Sequence, residues 1–298
     1  MINTLKIKLL SIDLDGTLLS KKSNNFLLGI HEKKISAENF TTLDSYLKTS
    51  GQFIFATGRN FSKTIQFLEA VKTNLNYHMP YLICLNGALV FDNLNQEILF
   101  QSSFDFDQLS DLIKYLNQKK VIFYLQNFKY QNKQFYDTVY LKKSVLAAKM
   151  IQLNFKESVV VSFQQQLPYE QYHKISVILL RPKAVAFKET LENLFGDKFN
   201  FYLSSKYSIE IGPKNTNKYF GLKLISQKMN LKIAETAVMG DQENDYLALK
   251  HCGFAIGVDL NKKKYLSHIQ AEVDFMPSND HANAVALGIY EMRKRNLI

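Results

Sequence analysis

The sequence predicts an α/β protein in which a parallel sheet, covered by helices on both faces, is interrupted by an inserted α+β unit. Apolar strands alternate with amphipathic helices at the start of the chain, aromatic-rich strand pieces follow in the middle, and the first pattern returns near the end. Continuous apolar strands joined by helices are typical of βαβ units with a buried parallel sheet. We therefore expect a core formed by residues 1–87 and 205–298, split by an insertion at 88–204.

The first third of the chain predicts three strands and two helices of this core. "KLLSIDL" is strand-like, and "SAENFTTLDSYLKTSG" is a helix that begins after the capping residue Ser36 and ends at Gly51. "QFIFATGR" is a second strand, and "YLICLNG" is a third. Between them, "NFSKTIQFLEAVK" is a helix with Phe61, Ile65 and Leu68 on one side.

The middle of the chain predicts an antiparallel sheet with helices of its own. Its strand-like pieces are "VIFYLQNF", "VVVSF" and "KISVILL", and its helix-like intervals are "FDQLSDLIKYLNQ" and "KAVAFKETLENLF". The core pattern then resumes with a helix from about Asn217 to Met229, the strand "TAVMG", a helix in "ENDYLALKHC" and the strand "FAIGV".

Composition indicates a packed globular protein. The chain has 298 residues, of which 46% are hydrophobic. It shows no run of about eighteen apolar residues and no signal-type N-terminus, so we expect a cytoplasmic protein without a membrane partner. Cys84 and Cys252 are its two cysteines, a number that suits a reducing compartment and no disulfide framework.

The net charge of +10 does not identify a partner by itself. Basic residues are scattered along the chain, and the densest run, Lys262 to Lys264, has the character of a solvated loop. We therefore expect anionic small molecules rather than nucleic acid as partners, and a monomer or homodimer.

Two acids interrupt the first predicted strand at its carboxyl end. They are Asp13 and Asp15 in "KLLSIDLDGTLL", and an ionised carboxylate buried without a partner costs several kcal/mol or more. Three further polar stretches, "TGR", "NTNK" and "GDQEND", also follow apolar segments or open helices. Singly, each of these three has a structural explanation as a turn, an exposed helix residue or a helix cap. Together they predict a site at the carboxyl edge of the sheet, where ligands bind in parallel α/β folds.

With these motifs in order, the chain resembles the haloacid dehalogenase (HAD) superfamily and, within it, the Cof-type phosphatases. The resemblance rests on "SIDLDGTLL", "FATGR", "CLNGA", "IEIGPKNTNK", "AVMGDQENDYLAL" and "FMPSND". It implies a Rossmann-like HAD core, with the insertion as an α+β cap domain that selects the substrate.

The resemblance implies a role for each motif in phosphoryl transfer. Asp13 would be the nucleophile that forms an aspartyl phosphate, and Asp15 the general acid and base. Thr57 would bind a phosphoryl oxygen, and Lys218 would neutralise it while pairing with Asp13.

The resemblance also implies a Mg²⁺ site and substrate contacts. The metal would be held by the Asp13 carboxylate, the backbone carbonyl of Asp15 and Asp241, with Asp245 and Asn244 supporting these ligands or the metal-bound waters. The residues expected to contact substrate are Gly16, Gly58, Arg59, Asn86 and Asn244.

Two segments depart from the Cof-type pattern. The first, Val258–Asn261, lies in "IGVDLNKKK", and the second, His281–Val285, lies in "SNDHANAVA", which keeps Asn279 and Asp280. We expect the first departure to change substrate contacts near the metal, and neither departure to touch the nucleophile.

The sequence thus predicts a Mg²⁺-dependent phosphatase of small phosphorylated metabolites, with sugar phosphates as the first choice. A phosphomutase of sugar phosphates is an alternative, because it uses similar chemistry and returns the phosphoryl group to the sugar. A non-catalytic binding or regulatory protein on the same fold is a second alternative. The joint presence of Asp13, Asp15, Lys218, Asp241 and Asp245 argues against it.

Overall fold

The computed structural model describes residues 6–20, 34–142, 158–163, 167–179, 181–277 and 281–298. Asn279 and Asp280 lie outside the described residues. Within the described ranges the strands form a seven-stranded sheet, a six-stranded sheet and a two-stranded ribbon.

The strands and helices are numbered in chain order. The strands are β1 (Leu9–Ile12), β2 (Leu19–Ser20), β3 (Lys34–Ile35), β4 (Gln52–Ala56), β5 (Tyr81–Cys84), β6 (Leu89–Asp92), β7 (Glu97–Gln101), β8 (Ile122–Gln131), β9 (Gln134–Lys142), β10 (Val159–Phe163), β11 (Lys174–Ile178), β12 (Phe199–Ser205), β13 (Ser208–Pro213), β14 (Thr236–Gly240) and β15 (Phe254–Gly257). The helices are α1 (Ala37–Leu47), α2 (Phe61–Leu75), α3 (Phe106–Gln118), α4 (Ala184–Phe195), α5 (Lys218–Lys228), α6 (Tyr246–His251), α7 (Ser267–Gln270) and α8 (Ala284–Lys294).

The seven-stranded sheet is the core of the protein and has the order β15-β14-β1-β4-β5-β6-β7. Its first five strands are parallel, and β1 is buried along its whole length between β14 and β4. The predicted parallel α/β core is therefore confirmed. Because β14, β1 and β4 run in the same direction, the residues that follow them meet at one edge of the sheet.

Strands near both predicted edges of the insertion pair across those edges. Strands β6 and β7, inside the predicted range 88–204, extend the core sheet as antiparallel neighbours of β5. Strand β13, outside that range, lies between β11 and β12 in the six-stranded sheet. An apolar hairpin pairs equally well with either sheet, so local pattern alone could not assign these strands. As limits of independently folding domains, the three predicted ranges stay a prediction.

Two helices of the core begin at side-chain caps, of which Ser36 is the predicted one. The side chain of Ser36 accepts a hydrogen bond from the backbone of Asn39 at the start of α1, and Asn60 does the same for Lys63 at the start of α2. The predicted apolar side of α2 is wrong at one position. Ile65 is 43% exposed, because α2 packs through Phe61, Phe67, Leu68 and Val71 instead.

The six-stranded sheet, with the order β10-β9-β8-β11-β13-β12, belongs to the cap. One of its faces packs on α3 and α4, with Ile175 and Val177 of β11 among the buried side chains of this second hydrophobic core. The predicted antiparallel sheet is confirmed except at one edge, where β10 and β9 are parallel. Side chains alternate along a strand, so the opposite face carries Lys174 and Ser176.

Across the described parts of the chain, no helix is both long enough and apolar enough to span a bilayer.

Candidate active site

The candidate site is assembled at the carboxyl edge of the core sheet. Asp13 follows β1, Thr57 follows β4 and Asp241 follows β14, and all three side chains are buried. Lys218 is the first residue of α5, whose capping residue Asn217 accepts a hydrogen bond from Phe220. Four of the predicted motifs therefore converge through the topology of the parallel sheet.

Lys218 holds two buried carboxylates at once. Its Nζ donates to Asp13 Oδ1 at 2.5 Å and to Asp245 Oδ1 at 2.7 Å, and the lysine side chain is 1% exposed. Burial raises the pKa of Asp13 well above its usual value, and Lys218 opposes this rise. For Lys218 itself, burial lowers the pKa, but Asp13 and Asp245 more than offset this effect and the pKa is raised. The ammonium group therefore stays charged beside the predicted nucleophile.

Three carboxylates form a group that could hold a metal ion. Asp13, Asp241 and Asp245 are buried, and each offers an oxygen within 4.8 Å of the others. Asp241 Oδ1 is buried and has no hydrogen-bond partner among the described residues. Burial raises the pKa of Asp241 to about 6, although Lys263 opposes the shift. An unpaired buried carboxylate oxygen in an all-oxygen cluster fits a hard divalent cation.

Asp245 orients the backbone of the metal candidate Asp241. Its Oδ2 accepts hydrogen bonds from the backbone of Asp241 at 3.0 Å and of Gln242 at 3.1 Å. A side chain at Gly240 would bring a Cβ to 2.3 Å from Asp245 Cγ, so this carboxylate lies directly against the end of β14. With Lys218 on its other oxygen, Asp245 has the contacts of the supporting residue that the sequence predicts.

Gly16 lies directly against Asp241. Its φ is +88°, and a Cβ at this position would lie 2.4 Å from Asp241 Oδ2. Both the left-handed backbone and the close carboxylate therefore require glycine. Its predicted contact with substrate through the backbone stays a prediction.

Asp15 and Arg59 form a bidentate ion pair. Arg59 Nε donates to Asp15 Oδ2 at 2.6 Å and Nη2 donates to Oδ1 at 2.8 Å. The guanidinium also lies 4.9 Å from the ring centre of Phe67. Arg59, predicted as a substrate contact, is thus placed on the predicted general acid, and the side chain of Asp15 lies outside the three-carboxylate group.

The remaining predicted substrate contacts form a network that reaches the cap. Asn244 Nδ2 donates to Asn86 Oδ1 at 2.9 Å, and Asn86 Nδ2 donates to Glu210 Oε2 at 2.6 Å. The backbone oxygen of Gly58 accepts a hydrogen bond from Lys174 Nζ at 2.6 Å. The structure thus brings Gly58, Asn86 and Asn244 together, and it adds two cap residues.

Sequence reasoning missed three charged residues of this site. The sequence predicts Lys263 in a solvated loop. In the structure it is largely buried and donates to both the backbone oxygen and Oδ2 of Asp241, each at 2.6 Å. The available signal was its position two residues after the departing segment Val258–Asn261. Glu210 lies inside the quoted motif "IEIGPKNTNK", whereas Lys174 lies in a cap strand with no signal of its own.

The two departing segments lie in different places. Val258 is buried, and its backbone donates to Gly240 at the end of β14, so the first segment adjoins the carboxylates. In the second, Asn283 accepts a hydrogen bond from Ser36, and Asn39 at the start of α1 contacts the backbone of Ala282. The second departure therefore belongs to the packing of α8 on α1.

Similar proteins are found by sequence and by structure. The sequence profile of the haloacid dehalogenase-like hydrolases matches residues 10–289. A protein of Buchnera aphidicola subsp. Acyrthosiphon pisum, whose naming as a phosphatase is provisional, is 24% identical over 277 residues, which cover 92% of each chain.

Two solved structures share the fold over nearly the whole chain. One, from Plasmodium vivax and provisionally described as a HAD/COF-like hydrolase, has a TM-score of 0.77 at 20% identity and covers 99% of this chain and 98% of its own. The other, a HAD subclass IIB sugar phosphatase, has a TM-score of 0.72 at 17% identity and covers 98% of this chain and 100% of its own. These comparisons confirm the predicted class of enzyme, a phosphatase-type hydrolase. The chain therefore belongs to the haloacid dehalogenase-like hydrolase family, as the motifs of its core predict.

Proposed function

We propose that the chain is a cytoplasmic Mg²⁺-dependent phosphatase that hydrolyses small phosphorylated metabolites through an aspartyl phosphate. The observation that carries the proposal is the buried group formed by Asp13, Asp241, Asp245 and Lys218 at the carboxyl edge of the sheet. Three carboxylates beside one lysine leave an excess of negative charge, which a divalent cation would offset when an anionic phosphoryl group binds.

Asp13 has the surroundings of a nucleophile that is held in place. One Asp13 oxygen would attack phosphorus while the bond from phosphorus to the leaving oxygen breaks. Lys218, already 2.5 Å from Asp13 Oδ1, would neutralise charge on the transferred group. The Thr57 hydroxyl, at the end of the neighbouring strand β4, would donate a hydrogen bond to a phosphoryl oxygen.

Asp15 would donate a proton to the departing alkoxide and then accept one from the water that cleaves the aspartyl phosphate. This second step restores the Asp13 carboxylate and releases inorganic phosphate. Arg59 holds both oxygens of Asp15, which favours the ionised form, so one of the two bonds would open when Asp15 takes up the proton and the other would keep the carboxyl group in place.

Asp13, Asp241 and the backbone carbonyl of Asp15 would hold the Mg²⁺, with Asp245 behind them. The chemistry that Mg²⁺ supplies at such a site is neutralisation of the phosphoryl oxygens as they approach the carboxylates. The unpaired Asp241 Oδ1 supports this assignment.

Sugar phosphates are the proposed substrates. On the cap face that continues from Asn86 and Gly58, Ser176 lies beside Glu210 on the neighbouring strand, and its hydroxyl suits a leaving group rich in hydroxyls. One structural neighbour is a sugar phosphatase, which supports the same class.

Phosphate release from a panel of phosphorylated metabolites, with Mg²⁺ and with chelator, tests the proposal. We expect Mg²⁺-dependent release that Asp13→Asn abolishes, whereas Asp107→Asn, at an exposed position in α3, retains it. An isomerised sugar phosphate without release would establish a mutase instead. If no member of the panel reacts and the chain binds the same compounds, the binding-protein alternative takes its place.

A further inference from the structure

Lys174 and Glu210 form an ion pair on the face of the cap sheet that is turned away from α3 and α4. They lie on the neighbouring strands β11 and β13, where Ser176 is the cross-strand partner of Glu210. Lys174 Nζ and Glu210 Oε1 are 2.5 Å apart, and their side chains are 4% and 18% exposed. A pair this buried carries a desolvation penalty, so its presence is not explained by a gain in cap stability.

Each member of the pair also bonds to the core. Lys174 donates to the backbone oxygen of Gly58 at 2.6 Å, and Glu210 accepts from Asn86 Nδ2 at 2.6 Å. Each buried charge therefore gains a second hydrogen-bond partner when the cap lies against these two core positions. A Cβ on Gly58 would lie 2.8 Å from Asn86 Oδ1 and 2.9 Å from Glu210 Oε2, so the approach is close.

Gly58 and Asn86, the two core positions, adjoin Thr57, the predicted phosphoryl-binding residue. Gly58 links Thr57 to Arg59, and the backbone of Asn86 donates to the backbone oxygen of Thr57 at 3.1 Å. The backbone of Arg59 donates to Thr57 Oγ1 at 3.1 Å. A contact that holds Gly58 and Asn86 in place therefore also fixes the Thr57 hydroxyl and the backbone of Arg59, whose side chain binds Asp15.

We propose that Lys174 and Glu210 are positioning residues that form a cap latch, which fixes the Thr57–Arg59 turn and Asn86 when the cap lies over the core. The effect of the latch on turnover rests on the proposed function. Its effect on the position of the Thr57–Arg59 turn does not depend on catalytic activity. Because it acts through the turn, it supports phosphoryl transfer from every substrate in the same proportion. A residue that contacts the leaving group would instead change the ranking of substrates.

Other cap–core contacts allow the latch to be removed without releasing the cap. Asp137 of β9 accepts a hydrogen bond from the backbone of Ser62 at 2.8 Å, and Glu243 accepts one from Leu203 of β12 at 2.6 Å. We therefore expect variants of the latch to fold and to keep the cap near the core.

The test compares Lys174→Met, Glu210→Gln and the double variant with Lys129→Met. Lys129 pairs with Glu170 within the cap and serves as the matched control. Hydrogen exchange of the segments 57–62 and 85–88 reports on the turn, and kcat and KM over the substrate panel report on turnover. Each single variant should speed exchange in both segments about tenfold or more and lower kcat by a similar factor for every substrate. The control should match the native chain.

The double variant distinguishes a latch from two independent contacts. A single change leaves the remaining charge buried and unpaired, so the double variant should be no worse than either single one. Strictly additive losses, or unchanged exchange in both segments, would overturn the latch. A changed ranking across the panel would also overturn it, in favour of direct contact with the leaving group. If the native chain releases no phosphate while exchange responds as expected, the latch stands and the proposed function fails.

Discussion

Arg59 donates a hydrogen bond to each carboxylate oxygen of Asp15, with N to O distances of 2.6 and 2.8 Å. Two parallel bonds fix a carboxylate in direction as well as position, which a single lysine contact does not do. Asp15 is 38% exposed and Arg59 is 16% exposed, so solvent screening makes the pair worth little to stability. We expect the pair instead to orient Asp15, the predicted general acid.

Replacing Arg59 should therefore affect turnover more than folding. We expect Arg59→Met to lower kcat about 10- to 100-fold, because Asp15 loses the two bonds that orient it. The free energy of unfolding should fall by only about 1 kcal/mol. Arg59→Lys should recover little of the activity, since an ammonium group cannot make both bonds. Steady-state kinetics and urea unfolding measure the two effects, and full activity in Arg59→Lys would contradict the aiming role.

Lys263 should determine how strongly Mg²⁺ stabilises the protein. In the metal-free protein it is the counter-charge of Asp241, to which it donates at 2.6 Å, and a bound cation would take over that function. Lys263→Met should thus destabilise the metal-free form more than the Mg²⁺-bound form. We expect a lower melting temperature in chelator, a larger rise on adding Mg²⁺ and roughly tenfold tighter Mg²⁺ binding by calorimetry.

The neighbouring Lys264 is exposed and provides the control for this change. Lys264→Met should leave both the melting temperature and the Mg²⁺ response as they are in the native chain. Weaker Mg²⁺ binding in Lys263→Met would mean that this lysine chiefly orients Asp241 for the metal.

The core of the site could be predicted from sequence because local motifs and sheet topology coincide there. Asp13, Thr57 and Asp241 each end an apolar parallel strand, so strand direction alone brings them together. Lys218 follows from its place at the first turn of α5. For these residues, the place of the motif in the sequence therefore predicts the place of the side chain in the structure.

The cap side of the site could not be predicted in the same way. Lys174 and Glu210 face the core because of the register of β11 against β13, and the two residues are 36 positions apart in the chain. A shift of one residue in that register would put the two side chains on opposite faces of the sheet. Likewise, the partner of Lys263 depends on how the loop after β15 folds back, which no local pattern specifies.

Gly16→Ala should disturb the metal candidates without removing any ligand. The new Cβ would lie 2.4 Å from Asp241 Oδ2 in a backbone with φ of +88°, so both the strain and the contact oppose it. We expect a loss of about 1–3 kcal/mol in unfolding free energy and weaker Mg²⁺ binding by calorimetry. Gly212→Ala is the matched control, since the nearest atom to its Cβ is 3.8 Å away. Equal behaviour of the two variants would contradict the proposed crowding at Gly16.

His173 should make the cap sensitive to mild acid. Its side chain is buried, stacks on Phe128 at 4.1 Å between ring centres, and has no hydrogen-bond partner for Nδ1 within the described residues. Burial lowers its pKa to about 3, whereas an unfolded histidine has a pKa near 6.5. Below pH 6.5 the unfolded chain therefore binds a proton that the folded chain cannot, and unfolding becomes easier as the pH falls.

The expected size of this effect is about 2 kcal/mol between pH 7 and pH 5, from roughly 1.4 kcal/mol for each pH unit below 6.5. His173→Phe keeps a ring against Phe128 and removes the titration, so its unfolding free energy should exceed that of the native chain by an amount that grows as the pH falls. Urea unfolding in chelator at pH 5, 6 and 7 measures the difference. His78→Asn, at an exposed position, should follow the native chain at each pH. If native and His173→Phe proteins lose stability in parallel, the buried histidine is not the acid-sensitive group, and Asp13 and Asp241 do not replace it, because their raised pKa values favour the folded chain as the pH falls.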